Sequence, residues 1–139
     1  MSPSFNHSYV QSTLIGALLS LKQYSVLSEL SLEIEGREYV PDICLYSKRK
    51  IDLLEDILKM TEMPLLAIEI LSPSQVIQEL TNKIKIYLNA GIQSCWLVVP
   101  TMRTIAVYNE LETVSSYSKD EIMDKKLDIN LSLDEIFPF

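Results

Sequence analysis

The stretch that decides the fold is Leu65-Leu66-Ala67-Ile68-Glu69-Ile70-Leu71, in which one glutamate interrupts a continuous apolar run. A short run of this kind is typical of a strand that is buried on both faces of a sheet. Residues 72–74, Ser-Pro-Ser, indicate the start of a helix that ends near Ala90-Gly91. Residues 95–99 form a second buried run. Residues 65–99 therefore predict a parallel strand–helix–strand crossover.

The segments before this crossover predict a helix and a hairpin. Residues 7–24 carry apolar side chains at helical spacing, with Asn6 or Ser8 as the expected cap. Residues 26–34 alternate between apolar and polar, which is typical of a half-exposed strand. Residues 39–46 return as its hairpin partner.

The remaining segments complete the predicted architecture. Residues 47–63 are polar and then weakly helical, and residues 104–108 form a strand that pairs with the one before it. Residues 113–117 add an edge strand, and residues 133–137 close the chain with a helical turn. The order predicts an α/β fold, with helices flanking a mixed central β-sheet.

Length, composition and charge limit the classes of protein. With 139 residues and 47% hydrophobic residues, we expect one domain spanning residues 1–139 with a real core. The net charge of −7 argues against nucleic-acid binding through broad electrostatics, because neutralising phosphates requires clustered Lys and Arg. Lys48-Arg49-Lys50 is the only basic run.

Several sequence patterns indicate a cytoplasmic protein that does not enter a membrane. No apolar stretch is long enough to span a bilayer, and the first residues lack the basic and apolar regions of a signal peptide. Cys44 and Cys95 lie in apolar segments and are expected to be buried, reduced thiols.

Glu69 needs a partner, because a carboxylate in a buried strand loses its hydration. Asp42 heads a strand-like run just after Pro41, a residue that marks an irregular point in a strand. Lys83 lies on the helix that follows the Glu69 strand, near the edge of its apolar face. Two carboxylates can share a divalent cation, and an ammonium can stabilise a phosphoryl transition state. The pattern points to a metal-dependent phosphodiesterase.

Each of these residues also has a purely structural interpretation. Asp42 could be a turn residue that bonds local backbone, and Glu69 could reach solvent or form a buried salt bridge. Lys83 could form a surface ion pair with Glu79, four residues earlier. His7, the only histidine, is expected to be an exposed residue at the start of the first helix rather than a catalytic base.

The same residues carry a family resemblance that covers nearly the whole chain. In order, the matching stretches are Pro41-Asp42, Pro64-Leu-Leu-Ala-Ile-Glu69-Ile-Leu-Ser-Pro-Ser74, Lys83-Ile-Lys-Ile-Tyr87, Ala90-Gly91-Ile92, Cys95-Trp96-Leu97-Val98 and Arg103-Thr-Ile-Ala-Val-Tyr108. They resemble the signature of the Uma-two family of restriction endonucleases, which is similar in fold to the PD-(D/E)xK nuclease superfamily.

The resemblance implies a restriction-endonuclease-like core that binds Mg²⁺, with Mn²⁺ as a substitute. Asp42, Glu69 and the Ile70 carbonyl would hold the metal. The superfamily motif places a lysine two residues after the glutamate, where this chain has Leu71. The resemblance implies that Lys83, on the following helix, takes its place, although Lys85 is nearby.

Two functions follow as hypotheses. The first is a Mg²⁺-dependent endonuclease that hydrolyses DNA phosphodiester bonds, with Asp42, Glu69 and Lys83 as its catalytic residues. The second is a non-catalytic binding or assembly module on the same fold with a degenerate site, for which a homodimer is one form. The acidic charge and the leucine at position 71 favour the second.

Overall fold

The strand predicted at residues 65–71 lies in the middle of a six-stranded sheet in the computed structural model, which describes residues 4–139. All five residues of this strand, Leu66–Ile70, are buried. In chain order the elements are α1 (Phe5–Ser20), β1 (Tyr24–Ser28), β2 (Leu32–Ile34), β3 (Arg37–Tyr39), β4 (Ile43–Ser47), β5 (Leu66–Ile70), α2 (Ile77–Asn89), β6 (Ser94–Val99), a 3₁₀ turn (Pro100–Met102), β7 (Thr104–Glu110), β8 (Thr113–Tyr117), β9 (Glu121–Asp124), β10 (Ile129–Ser132) and α3 (Leu133–Ile136).

The strands of the main sheet are ordered β1-β4-β5-β6-β7-β8. Strands β5 and β6 pair in parallel, and every other neighbouring pair in this sheet is antiparallel. The mixed sheet and the parallel crossover from β5 through α2 to β6 confirm the predictions. The pairing also brings the end of β5 next to the start of β4.

The two faces of the sheet build two separate apolar cores. Leu66, Ile68 and Ile70 of β5 pack in a cluster that includes the buried side of α1. Ala67, one residue out of phase, packs in a second cluster with Leu80 and other residues of α2. The alternation follows from the two-residue period of a strand, and it agrees with the predicted sheet flanked by helices. None of the helices within residues 4–139 has the length and apolar character that crossing a bilayer requires.

The predicted hairpin exists, but each of its arms divides into two strands. The break in the first arm falls at Glu29, which adopts a positive φ of 52° that no regular strand allows. Its N–H donates to the Asp42 carbonyl oxygen, 3.1 Å away. As a result β1 pairs with β4, while β2 and β3 form a small sheet of their own.

Two helix starts differ from the predictions. The cap of α1 is Ser4, whose hydroxyl accepts a hydrogen bond from the His7 N–H at 3.2 Å, so Asn6 and Ser8 lie inside the helix. Helix α2 begins at Ile77, because Ser72 first forms a turn in which its N–H and hydroxyl donate to the Gln75 side chain. The end of α2 at Asn89 agrees with the prediction.

Residues 47–63 contain no helix, although their sequence is weakly helical. The side chain of Asp52 accepts from the Leu54 N–H at 3.0 Å, and the Glu55 N–H donates to the Asp52 carbonyl at 3.3 Å. Such local turns compete with helix formation. Leu53 and Leu54 are more than 90% exposed, so no packing compensates for the lost helix.

A second small hairpin, β9 with β10, was not predicted, although buried and exposed residues alternate along both of its strands. Its Asp124 is fully buried and accepts four hydrogen bonds. The donors are Trp96 Nε1 at 2.8 Å, Ser94 Oγ and Asn109 Nδ2 at 3.2 Å, and Leu127 N at 3.3 Å. This carboxylate therefore links the hairpin to β6 and β7 of the main sheet. The two cysteines are buried free thiols, as predicted.

Replacing Asp124 with alanine should lower the free energy of unfolding by about 3 kcal/mol, because it leaves buried donors without an acceptor. The measurement is urea denaturation followed by Trp96 fluorescence and by far-UV circular dichroism. Glu121→Ala, an exposed change on the same strand, is the control and should cost less than about 0.5 kcal/mol. Equal stability of the two variants would contradict the role of Asp124.

Candidate functional site

Glu69 is a buried carboxylate on the α2 side of the sheet. It follows Ile68 on β5, which faces α1, so the pleat directs Glu69 to the opposite face. The side chain is 3% exposed, and its Oε2 accepts a hydrogen bond from the Tyr87 hydroxyl on α2 at 2.6 Å. Tyr87 is itself fully buried. Among the described residues, the hydrogen-bond partner of Glu69 is therefore an uncharged group.

Asp42 lies beside Glu69 at the start of β4. The register pairs Ile43 with Ile68, so Asp42, one residue earlier, falls level with the end of β5. Its Oδ2 accepts from the Ile70 N–H at 2.7 Å. This bond fixes the aspartate against the backbone that immediately follows Glu69. The side chain is 18% exposed.

Lys83 lies on α2, one turn before Tyr87, and is partly exposed. Its charge acts on both carboxyl groups, since it helps to lower the pKa of Asp42 and that of Glu69. Lys85 is exposed on the same helix. The three residues predicted from the sequence, Asp42, Glu69 and Lys83, therefore interact electrostatically with one another. The lysine comes from the helix, and not from β5.

The two carboxyl groups are costly to ionise in this position. Burial, together with the negative charge of Asp42, raises the pKa of Glu69 to about 7. The Tyr87 hydrogen bond and Lys83 lower it by less. Burial also raises the pKa of Asp42, against the opposing effects of the Ile70 N–H, His7 and Lys83. A perturbed pair of this kind is common at functional sites.

His7 belongs to the site, which corrects the expectation that it is an exposed residue at the helix start. It is 6% exposed, and its Nε2 lies 3.1 Å from Asp42 Oδ2. Within the described part of the chain, its Nδ1 is buried and has no hydrogen-bond partner. Gln11, one turn later, donates to the Asp42 carbonyl oxygen at 3.0 Å. Helix α1 thus holds Asp42 from one side, through residues that lie far from it in sequence.

The sequence predictions include no role for Tyr87 at the site. The spacing between Lys83 and Tyr87 could have indicated such a role, because residues four apart share one face of a helix. No comparable signal exists for His7, since its contact with Asp42 spans 35 residues.

The donors at this point suit a hard divalent cation. Asp42 and Glu69 supply carboxylate oxygens, and their mutual repulsion is only partly offset by Lys83. Among residues 4–139, no cluster of three or more His, Cys, Asp or Glu side chains could hold a metal ion. Mg²⁺ does not require one, because it is commonly bound by one or two carboxylates with water and substrate phosphate. A pair of carboxylates without nitrogen or sulfur ligands is better suited to Mg²⁺ than to Zn²⁺.

Comparison with known proteins identifies relatives of this chain. The Uma-two family model (Uma2), described as "Putative restriction endonuclease", matches residues 1–138. A solved structure described as a "putative nuclease belonging to DUF820" from Anabaena variabilis superposes with a TM-score of 0.85. The two sequences are 23% identical, and the match covers 99% of this chain and 83% of that one. This likeness shows that the two proteins share a fold.

A second solved structure, a DrdV–DNA complex, is similar only at a TM-score of 0.46 and 12% identity. The match covers 89% of this chain and 9% of that one. Among curated proteins, none matches this chain.

The raised pKa of Glu69 makes the stability of the metal-free protein depend on pH. The folded state binds this proton more tightly than the unfolded state, where the pKa is about 4.5. The protonated Glu69 therefore contributes its full stabilisation of the folded state below about pH 4.5, and this contribution is lost as the pH rises through about 7. With EDTA present, the difference in free energy of unfolding between wild type and Glu69→Gln should fall by roughly 3 kcal/mol across this window.

Urea denaturation at a series of pH values measures this difference. Glu79→Gln, an exposed change on α2, is the matched control, and its difference from wild type should stay constant. The assignment is wrong if the Glu69→Gln difference is equally constant.

Proposed function

This chain belongs to the Uma-two family, and on that premise we propose that it is a Mg²⁺-dependent endonuclease that hydrolyses DNA phosphodiester bonds. The observation that carries the proposal is the meeting of Asp42 and Glu69 at one end of the sheet, with Lys83 acting on both. A buried carboxylate next to a partly buried one destabilises the fold when both are ionised. Such a cost is expected where a ligand of opposite charge is to be bound.

Asp42, Glu69 and the Ile70 carbonyl are the groups that would hold the metal. Mn²⁺ would substitute for Mg²⁺, because both prefer oxygen ligands. When bound, the ion supplies Lewis-acid polarisation of the phosphoryl group and a lower pKa for bound water.

The protein side chains supply charge and orientation. Lys83 would stabilise the negative charge that builds up on the phosphoryl oxygens, or orient the attacking water. Water forms a new P–O bond while the ester P–O bond breaks, and the leaving oxygen takes up a proton. Tyr87 and His7 act as positioning residues, since each fixes one carboxylate by its contact at 2.6 Å or 3.1 Å.

Replacing Lys83 with alanine should reduce Mg²⁺-dependent DNA cleavage by roughly 100-fold or more, the cost of losing one group that stabilises transition-state charge. Lys85→Ala, two residues away on the same helix and exposed, should change the rate by less than about twofold. The measurement is nicking of supercoiled plasmid in Mg²⁺ and in Mn²⁺. Glu69→Ala should abolish cleavage in both metals.

Far-UV circular dichroism of each variant confirms that it is folded. The nuclease proposal is overturned if the wild-type protein cleaves no supercoiled, linear or single-stranded DNA in either metal. Equal losses in Lys83→Ala and Lys85→Ala would remove Lys83 from the proposed site.

One observation favours the alternative, an assembly module that forms a homodimer. The segment of residues 51–58, here called the apolar loop, exposes five large apolar side chains, Ile51, Leu53, Leu54, Ile57 and Leu58, each by 60% or more. An apolar surface of this kind on a folded chain marks an interaction site. Lys48-Arg49-Lys50 precedes it, and Asp52, Glu55 and Asp56 lie within it. Two antiparallel copies would place the basic end of one loop on the acidic part of the other, so a second copy of this chain is the partner that fits.

Leu54→Ser combined with Leu58→Ser should convert such a dimer to a monomer by removing apolar area from the interface. Sedimentation equilibrium over a range of protein concentrations measures the change. Leu19→Ser, an exposed leucine on α1 outside the apolar loop, is the matched control and should leave the dimer intact. A wild-type protein that stays monomeric at all concentrations would rule out this partner.

A further inference from the structure

An open cleft of about 660 Å³ has His7, the residue that contacts Asp42, in its wall. Its walls come from the start of α1, the loop after β5, the 3₁₀ turn after β6 and the last residues of the chain. The volume is typical of a site that takes a small organic ligand or one nucleotide. Leu71 and Ser72, in its wall, are the second and third residues after Glu69.

His7 connects this cleft to the carboxylate site. Its ring lines the cleft, and its Nε2 contacts Asp42 at 3.1 Å. The second ring nitrogen is buried without a partner among the described residues, which is unusual for a buried polar atom. A molecule bound in the cleft would therefore lie one side chain away from Asp42.

Three exposed aromatic rings form a row along the cleft. Phe5 is 78% exposed, Tyr9 46% and Phe139 56%. The ring centroids of Phe5 and Tyr9 are 6.0 Å apart, and those of Tyr9 and Phe139 are 5.4 Å apart. Arg103 places its guanidinium 5.7 Å from the Phe139 ring centroid. The planes of neighbouring rings are inclined by 46° and 58°, so each exposed ring would stack on a flat π-system separately, with the arginine beside Phe139.

The negative net charge of the chain explains why DNA binding would need base stacking on aromatic side chains. A net charge of −7 gives little of the phosphate neutralisation on which duplex binding normally depends. Base stacking on aromatic side chains is independent of that charge and tolerates any base sequence. Polar side chains for contact with a base edge are present in the same wall, namely Asn6, Gln75 and Thr101.

From these observations we infer that the cleft binds unpaired nucleobases of DNA, with one base stacked on the Tyr9 ring or the Phe139 ring, one side chain away from Asp42. This inference rests on the proposed function, because the base belongs to the strand whose phosphodiester reaches Asp42 and Glu69. It assigns single-stranded or locally unpaired DNA, and not fully paired duplex, as the substrate class. The bases of a paired DNA helix are already stacked on one another, so a base must first be unstacked before it can enter the cleft.

Fluorescence anisotropy with a 5′-labelled oligodeoxythymidylate tests the inference in EDTA, where cleavage does not interfere. The comparison probes are the same strand in a paired duplex and an abasic strand of equal length. We expect the single strand to bind at least roughly tenfold more tightly than either probe, as stacking energies imply. Tyr9→Ala and Phe139→Ala should each weaken single-strand binding roughly tenfold, and Phe139→Trp should retain it.

Leu111→Ala is the matched control, because it removes an exposed apolar side chain outside the cleft and should leave binding unchanged. The inference is overturned if Tyr9→Ala and Phe139→Ala both bind like wild type, or if the abasic strand binds as tightly as the thymidylate. Preference for paired duplex would also overturn it. Tight single-strand binding by a protein that never cleaves DNA would refute the nuclease and leave the stacking site standing.

Discussion

The hydrogen bond between Tyr87 and Glu69, 2.6 Å long and wholly inside the protein, is the interaction on which the site depends. Strand β5 is buried on both faces, so the Glu69 side chain packs in the protein interior whichever face it lies on. The carboxylate therefore needs a hydrogen-bond donor from the protein. The pleat gives it the α2 face, where the Tyr87 hydroxyl donates a hydrogen bond to it. The uncharged Tyr87 hydroxyl reduces the free-energy cost of burying the Glu69 carboxylate but does not neutralise its charge. The pKa of Glu69 therefore stays raised.

The second constraint is topological. Strands β5 and β6 run in parallel, so both end at the same edge of the sheet, and antiparallel β4 begins there. This geometry brings Asp42 to the Ile70 N–H although 28 residues separate them in the chain. The N-terminal part of α1 meets the same edge, which is how His7 contacts Asp42. Ligand sites in open α/β sheets commonly lie outside such strand ends.

The sequence predicted the parts of this fold that depend on local pattern. Strand β5, strand β6 and the end of α2 follow from apolar runs and from Gly91, and they agree with the structure. Two of the misses arise from contacts between residues that are far apart in the chain. The bend at Glu29 depends on a bond to the carbonyl of Asp42, and the burial of His7 depends on the same distant residue. The candidate site could be predicted from Glu69, because the apolar run around this residue is a local pattern that indicates burial.

The absence of a lysine at Leu71 has a structural reason that bears on the catalytic proposal. Leu71 is two residues after Glu69, so it lies on the same α2-facing side of the strand, where it packs against the apolar cluster of α2. Lys83 approaches from α2 itself and acts on the carboxylates from that same side. A lysine on the helix and a lysine on the strand would therefore approach Glu69 from one face of the sheet. In the proposed nuclease, a catalytic lysine on α2 leaves position 71 free to pack. The position of the ammonium then depends on how α2 packs on the sheet, and the buried Tyr87 fixes that packing one turn away.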